Sequence, residues 1–474
     1  MTHKHDLVII GGGVGGLVTS SVAGQLGLDV VLIEKEGKLG GDCLHYGCVP
    51  SKTLIRSAEV AHDIRRAGDY GLDASAQSVD LGRVMDRVRN VIETIQVHDD
   101  PDRFRSYGVD VRFGEARFID AHQVEVNGEI IAGRRFLIAT GSRPAVPPVP
   151  GLEQADYLTN ENIFAQRELP RRLAVMGGGP IGLELAQAFA RLGSEVTVIE
   201  MADHVLPRED PELSKELEET LRREGITLHT GTTVESVSTT DSIRCLECRA
   251  GDEKHTVEAD ALLVAAGRQA NIESLDLEAA GVKTERGLIR VDRRMRSSRK
   301  HIFAVGDVCG PLPFTHVAEY QAGIVIANAI FRVPRKADYS RIPWCTYTAP
   351  ELARVGLTEA EARERGMDVE VARFRFSDVD RALAEGHTDG LFKFVTRKGR
   401  LVGASILGPR AGELIHEPLL AMQAGLRLST ISGMVHAYPT LAEGTRRTVN
   451  TLFSPKLFAP GTRRLVHWIN RLLP

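Results

Sequence analysis

Leu7-Val-Ile-Ile10 is an unbroken apolar run with β-branched residues, the pattern of a strand buried on both faces of a parallel sheet. A glycine cluster at 11–16 interrupts it. A helical stretch over residues 17–26 follows, then a second apolar run at 29–33 closed by Glu34. The same succession returns later in the chain. Residues 173–176 predict a strand, 177–182 a turn and 183–192 a helix, and Glu195–Ile199 predicts a strand closed by Glu200. Between the two units the pattern predicts helices over 52–67 and 80–107 and a strand over 135–139 that ends in Thr140-Gly141-Ser142. The proline-rich run at 143–150 reads as a linker, with a boundary near 145. Beyond the second unit, a strand at 261–265 runs into Ala266-Gly267-Arg268, and another at 301–305 runs into Gly306-Asp307. From about Tyr339 the pattern changes to short strands (391–396 and 401–407) among helices near 359–365 and 411–425, an α+β arrangement.

The glycines give the two repeated units their chemistry. Gly11, Gly13 and Gly16 fit G-x-G-x-x-G, and so do Gly177, Gly179 and Gly182. The first glycine of such a turn permits a tight reversal, the second lets backbone approach a pyrophosphate, and the third allows close packing of the helix. The helix N-terminus then faces the phosphates, and an acid ~20 residues on takes a ribose hydroxyl. Glu34 and Glu200 stand at equal spacing in their units. Two such units, each in a full strand–turn–helix–strand setting, predict two dinucleotide sites.

Composition narrows the class. At ~150 residues per domain, 474 residues suggest three domains. With 59 basic and 63 acidic residues, a net charge of −4 and 43% hydrophobic residues, the chain is neither a dedicated nucleic-acid binder nor a disordered protein. Its six cysteines are too few for a secreted disulfide framework of this length. The stretch 7–28 carries no charge and is long enough to span a bilayer, but its glycines are poor material for a membrane helix. The residues before it lack the pattern of a signal peptide. A cytoplasmic protein is expected.

Cys43 and Cys48 lie in Gly40-Gly-Asp-Cys-Leu-His-Tyr-Gly-Cys-Val-Pro-Ser-Lys52, directly after the first unit. A zinc site would need a second ligand pair. Cys245 and Cys248 offer C-x-x-C, but in a strand-like run these two side chains point to opposite faces. The Cys43–Lys52 segment resembles the active-site signature of the class I flavoprotein disulfide reductases, which include dihydrolipoyl dehydrogenase, glutathione reductase and mercuric reductase. The resemblance extends in order over nearly the whole chain: first glycine turn, C-x4-C, Ala139-Thr-Gly141, second glycine turn, Gly306-Asp307, then an interface domain.

The resemblance implies an α/β fold with two Rossmann-type domains, for FAD and for NAD(P), and a C-terminal α+β interface domain. It divides the chain into an FAD domain in two parts (1–145 and 269–337), an NAD(P) domain (146–268) and a dimerisation domain (338–474). Gly11, Gly13, Gly16, Glu34, Ala116, Thr140, Gly141 and Asp307 would hold FAD, with Lys52 near the flavin. Gly177, Gly179, Gly182, Glu200 and Gly267 would hold the nicotinamide nucleotide. Cys48 would be the thiolate beside the flavin, Cys43 the interchange thiol, and Lys52 would pair with Glu184. The carboxylate of Glu200 favours NADH over NADPH, although Arg208 lies nearby.

One position departs from the dihydrolipoyl and glutathione branches. There a histidine from the partner subunit serves as acid/base, oriented by a glutamate five residues later. Here Glu443 fits but the base position is Tyr438, with His436 two residues early. A phenol with a pKa near 10 is a poor base at neutral pH. Mercuric reductases carry tyrosine at this place, and residues 183–193 and 380–382 also resemble that branch. Yet no cysteine follows Cys345, so the C-terminal cysteine pair of that branch is absent.

The leading expectation is therefore a homodimeric, mercuric-reductase-like NAD(P)H oxidoreductase whose active site is completed by the partner's C-terminal domain. Its acceptor would be a thiophilic metal ion, a small disulfide or a quinone-like oxidant, and it would hold no resident metal. Dihydrolipoyl dehydrogenase is the second reading. A flavoprotein subunit that docks a lipoyl-bearing partner is the third. Arg65, Arg66, Arg83, Arg87 and Arg89 read as solvated helix faces, and His316 as a structural residue at the flavin edge. The basic amphipathic stretch 462–473 is expected to dock on the protein's own body rather than on a membrane.

Overall fold

The computed structural model describes residues 3–74 and 78–472, so residues 1–2, 75–77 and 473–474, among them the end of the stretch 462–473, lie outside it. Both repeated units form as parallel sheets. In the first, Leu7–Ile10 lies between Val30–Glu34 and Phe136–Ile138, with Val109–Phe113 and Ile302–Ala304 at the two edges. In the second, Arg172–Met176 lies between Glu195–Ile199 and Ala261–Val264, with Thr227–His229 beyond. Ile302–Ala304 belongs to the first sheet although it follows the second in sequence. The chain thus crosses between the units twice. At the crossings Ser142–Pro144 and Arg268–Ala270 pair as an antiparallel ribbon.

The uncharged stretch 7–28 folds as strand, turn and helix, and among the described residues no helix is long and apolar enough to cross a membrane. Both phosphate-side helices begin earlier than the apolar pattern predicts, at Val14 and at Pro180. A proline is tolerated at a first helical position because the missing N–H has no partner there anyway.

Two predicted helices divide. Residues 80–107 form Leu81–Gln96 and Pro101–Ser106, because Pro101 cannot continue the backbone ladder and Asp100 caps the second piece. Residues 411–425 form Ala411–Leu414 and His416–Gln423, where Pro418 offers no N–H to the Leu414 carbonyl. Arg65 and Arg87 do more than face solvent: their guanidinium groups donate to the carbonyls of Arg191 and Thr53.

Two antiparallel meanders, Ala116–Gly133 and Thr232–Ala259, form beside the parallel sheets, and of their strands the sequence pattern marks only the run around Cys245 and Cys248. Cys245 and Cys248 lie on the middle strand of the second, where Cys248 is buried and its thiol pushed up to about 11 by that burial. A five-stranded antiparallel sheet carries the C-terminal region, in the order Pro343–Thr346, Glu351–Gly356, Arg400–Gly408, Leu391–Arg397, Glu370–Arg375. The last helix, Pro460–Leu472, has no buried residue, so the expectation that it docks on the body of the chain is not met.

The helix that matters most for function is Cys48–Arg65. Its Leu54, Ala58 and Ala61 pack into the same apolar core as Leu183, Ala186 and Phe189 of Pro180–Leu192. Burial of these side chains fixes the cysteine-bearing helix against the helix of the second glycine turn.

Candidate functional site

The two glycine turns are built alike, and the role of each glycine is visible in what a side chain would meet. A Cβ at Gly16 would stand 1.9 Å from the Gly11 carbonyl oxygen, and one at Gly182 would stand 2.0 Å from that of Gly177. These glycines serve internal packing. At Gly179 a Cβ would meet no protein atom within 4 Å, and at Gly13 only the Gly41 Cα at 3.8 Å. The space there opens into a cavity, so the constraint at the second glycine comes from whatever lies against the backbone. Glu34 accepts N–H bonds from Gly12 (2.6 Å) and Glu36 (2.8 Å), and Glu200 accepts them from Gly178 (2.6 Å) and Ala202 (2.7 Å). Burial raises the Glu34 carboxyl above its ordinary value. Each acid therefore ties its turn to the end of the following strand, while its oxygens keep further lone pairs for a ribose hydroxyl.

One continuous cavity of about 1740 Å³ runs past both turns and the cysteines. Gly11, Gly13, Glu34, Ala116, Thr140, Gly141 and Asp307 line one arm, and Gly177, Gly179, Glu200 and Gly267 line the other. Cys43, Cys48, Lys52 and Glu184 also line it. Gly16 and Gly182 do not reach it, consistent with their packing role. The donor set suits an FAD on the first arm and a nicotinamide dinucleotide on the second. Each arm has an open second glycine at a helix N-terminus and an acid at the end of the following strand.

Cys43 sits on the short helix Gly41–His45, and Cys48 is the first residue of Cys48–Arg65. The Cys48 Sγ lies 3.6 Å from the Thr315 Oγ1, itself at the start of Thr315–Val325. Hydrogen bonding between the two sulfur groups is the largest influence on both thiols. It pulls Cys48 down to about 6 and pushes Cys43 well above the ordinary thiol range. Burial opposes the fall at Cys48, and the Lys52 ammonium and Thr315 hydroxyl reinforce it. A helix N-terminus favours an anion for the same reason. The two thiols are thus shifted in opposite directions, Cys48 towards the thiolate and Cys43 towards the thiol.

Lys52 lies one turn along that helix. Its Nζ donates to the Glu184 Oε2 at 2.7 Å and sits over the Tyr347 ring at 4.5 Å, while the Glu184 Oε1 accepts the Tyr347 N–H at 2.9 Å. Burial works against the Lys52 ammonium, but the Glu184 carboxylate outweighs it and Lys52 is held above its ordinary value. Asp307 accepts from Ser142, and burial raises its carboxyl. Arg268 donates to the Ser142 Oγ at 2.7 Å and reaches Asp42 at 3.2 Å and Asp307 at 3.6 Å. Arg268, Thr315 and Tyr347 were not picked out from sequence. Thr315 adjoins His316, whose Nε2 lies 2.7 Å from the Pro343 carbonyl and whose ring stacks on Phe314, a structural placement.

Tyr438 and Glu443 are not brought to the cysteines within one chain. Tyr438 is 68% exposed and donates to the Asp380 Oδ2 at 3.0 Å, which raises its phenol further above the ordinary value. Glu443 is buried and pairs with Arg446, while His436 pairs with Glu417. Glu443 therefore orients neither Tyr438 nor His436.

Comparison with known proteins identifies the family. The model of the family described as "Pyridine nucleotide-disulphide oxidoreductase" matches residues 5–322, and that of its dimerisation domain matches 342–449. A mercuric reductase from Staphylococcus aureus is 37% identical over 445 residues, covering 93% of this chain and 81% of that protein. A dihydrolipoyl dehydrogenase from Bacillus subtilis is 36% identical over 460 residues, covering 94% and 97%. Among solved structures, the Cu(II) complex of the HOCl-induced flavoprotein disulfide reductase RclA from Escherichia coli superposes with a TM-score of 0.85 at 30% identity, covering 95% of this chain and 100% of that one.

Proposed function

Because the chain belongs to the pyridine nucleotide-disulphide oxidoreductase family, whose members use FAD and a pyridine nucleotide, we propose that it carries electrons from NADH to the Cys43–Cys48 pair and on to a thiophilic metal ion or small disulfide. Bound FAD supplies two-electron transfer between nicotinamide and the cysteine pair. The remaining chemistry belongs to the residues of the chain. Cys48, beside Thr315 and Lys52, is the thiolate that faces the flavin, and Cys43 is the thiol that meets the acceptor. In the final step a sulfur–sulfur bond forms within the pair, the acceptor takes two electrons and the Cys43 proton leaves.

The observation that carries this reading is the setting of Cys48, which begins the helix Cys48–Arg65 with Lys52 one turn along it and the Thr315 Oγ1 3.6 Å from its sulfur, and whose thiol is lowered while that of Cys43 is raised. Lys52, paired with Glu184, supplies the fixed positive charge beside Cys48. Glu200 favours the unphosphorylated ribose of NADH by repelling a 2′-phosphate. We place the domains at 1–145 with 269–337 for FAD, 146–268 for NADH, and 338–474 for the interface. In a homodimer, Tyr438 and Glu443 of a second copy would complete the site. The exposure of Val435 (91%) and Tyr438 supports such a use of this segment.

The acceptor follows from proton chemistry. Tyr438, raised by Asp380, is a neutral phenol at pH 7 and cannot take the Cys43 proton. A thiophilic metal ion needs no such base, because metal binding itself displaces thiol protons. This favours mercury(II), the metal in the name of the Staphylococcus aureus relative, over lipoamide or glutathione disulfide.

Anaerobic reduction of the FAD-loaded enzyme with NADH should produce a long-wavelength thiolate–flavin absorption that Cys48→Ser abolishes and Cys43→Ser retains. Survival of the absorption in Cys48→Ser would refute the assignment. Turnover with Hg(II), lipoamide, glutathione disulfide and a quinone should rank Hg(II) first. Faster turnover with lipoamide would favour the dihydrolipoyl dehydrogenase reading.

A further inference from the structure

The last helix of the described residues, Pro460–Leu472, has no buried residue, and every residue in it but Thr462 is exposed. At about 100° per residue, Trp468, Leu472, Leu465, Ile469 and Val466 occupy one arc of about 160°. Arg463, Asn470, His467, Arg471 and Arg464 occupy the opposite arc. The apolar side chains are uncovered: Leu465 is 53% exposed, Trp468 62% and Leu472 58%. Isolated exposed apolar residues need no explanation, but a continuous stripe on a helix does.

Three observations indicate what covers it. The dimerisation-domain match ends at residue 449, before this helix begins. No acidic residue follows Glu443, whereas Arg446, Arg447, Lys456, Arg463, Arg464 and Arg471 do, in a chain whose net charge is −4. Finally, the stripe contains a tryptophan, a side chain suited to the boundary between water and hydrocarbon. A protein patch can match an apolar stripe, but one backed by a polar face that carries three arginines and no acid is matched by a surface that is anionic above and apolar beneath.

We propose that Pro460–Leu472 lies in the headgroup region of an anionic bilayer, with Leu465, Trp468, Ile469 and Leu472 towards the acyl chains and Arg463, Arg464 and Arg471 among lipid phosphates. In a dimer two such helices act together, so weak partitioning by each adds to firm attachment. The enzyme is then held at a membrane surface without crossing it, and this does not depend on which acceptor it reduces.

The test uses the full-length FAD-loaded enzyme and sucrose-loaded vesicles of phosphatidylcholine, alone or with about one-third phosphatidylglycerol. Each arginine near an anionic surface raises partitioning about fivefold, so three should make the anionic vesicles roughly 100-fold better. Raised salt should erase most of that difference. Leu465→Glu with Ile469→Glu should abolish co-sedimentation while reduction by NADH is unchanged. Equal binding to both vesicles, no binding to either, or undiminished binding by the double variant would overturn the proposal. Sedimentation velocity supplies the other arm. If the double variant changes the oligomeric mass and leaves vesicle binding as it was, a second copy covers the stripe and the proposal fails.

Discussion

Replacing Lys52 and Glu184 separately should move the acidity of Cys48 in opposite directions. The Cys48 thiol is lowered to about 6, mainly by hydrogen bonding with Cys43 and against burial, with Lys52 assisting and Glu184 opposing. Side chains four apart on a helix stand ~6 Å from one another. At an effective dielectric of ~20, an ammonium at that distance stabilises a thiolate by ~3 kcal/mol, or ~2 pH units. The Lys52 side chain is 34% exposed and shares its charge with Glu184, so roughly half of this should survive solvent screening. Lys52→Met should therefore raise the Cys48 pKa by about 1 unit, and Glu184→Gln should lower it by a smaller amount. In Glu184→Gln the amide oxygen can still accept the Tyr347 N–H, so the strand position is kept. The assay is alkylation of the pre-reduced enzyme across pH, with Cys48 and Cys43 followed separately by mass spectrometry. In the unaltered enzyme, labelling of Cys48 should rise as pH climbs through about 6 and be lost below it, because the thiolate is the reactive form. Shifts of the same sign in the two variants, or no shift in either, would refute the electrostatic role of the pair.

Two further outcomes separate packing from binding at the second turn. Gly182→Ala drives a Cβ against the Gly177 carbonyl and should destabilise the protein by about 1–3 kcal/mol in thermal melts, whereas Gly179→Ala should melt normally and raise the KM for the nucleotide. Glu200→Ser should lower the NADH-to-NADPH ratio of kcat/KM by about tenfold, measured by flavin reduction rates with each nucleotide.

What the sequence makes legible is what is encoded locally. Each glycine turn, its flanking strands and its terminal acid lie within one short stretch, and Cys43 to Lys52 spans two adjoining helices. The Lys52–Glu184 contact is also foreseeable, but through family resemblance, since 132 residues separate its members. Arg268 escapes notice because its meaning lies in Asp42, Ser142 and Asp307, which only the fold gathers. Thr315 escapes because a hydroxyl at a helix start is an ordinary feature until a sulfur is found beside it. At Tyr438 the motif marks a departure from the histidine branches, yet the hydrogen-bond partner is Asp380, from a different element of the C-terminal domain. The last helix shows the converse: its amphipathic pattern is plain in sequence, but whether the apolar stripe is covered depends on where the preceding helix Glu443–Leu457 points it.

The Lys52–Glu184 bond also joins two ligand equilibria. On the proposed function, Glu184 belongs to the helix whose first turn would face the nucleotide, and Lys52 to the helix that begins with Cys48, the proposed thiolate. A proton on Cys48 and a nucleotide at Gly179 are thus two effectors acting on one ion pair. Thermodynamic reciprocity binds them: whatever factor the nucleotide applies to the proton affinity of Cys48, the proton applies to the affinity for the nucleotide. Nucleotide dissociation constants measured above and below about pH 6 therefore contain the same coupling free energy as a thiol titration made with and without nucleotide.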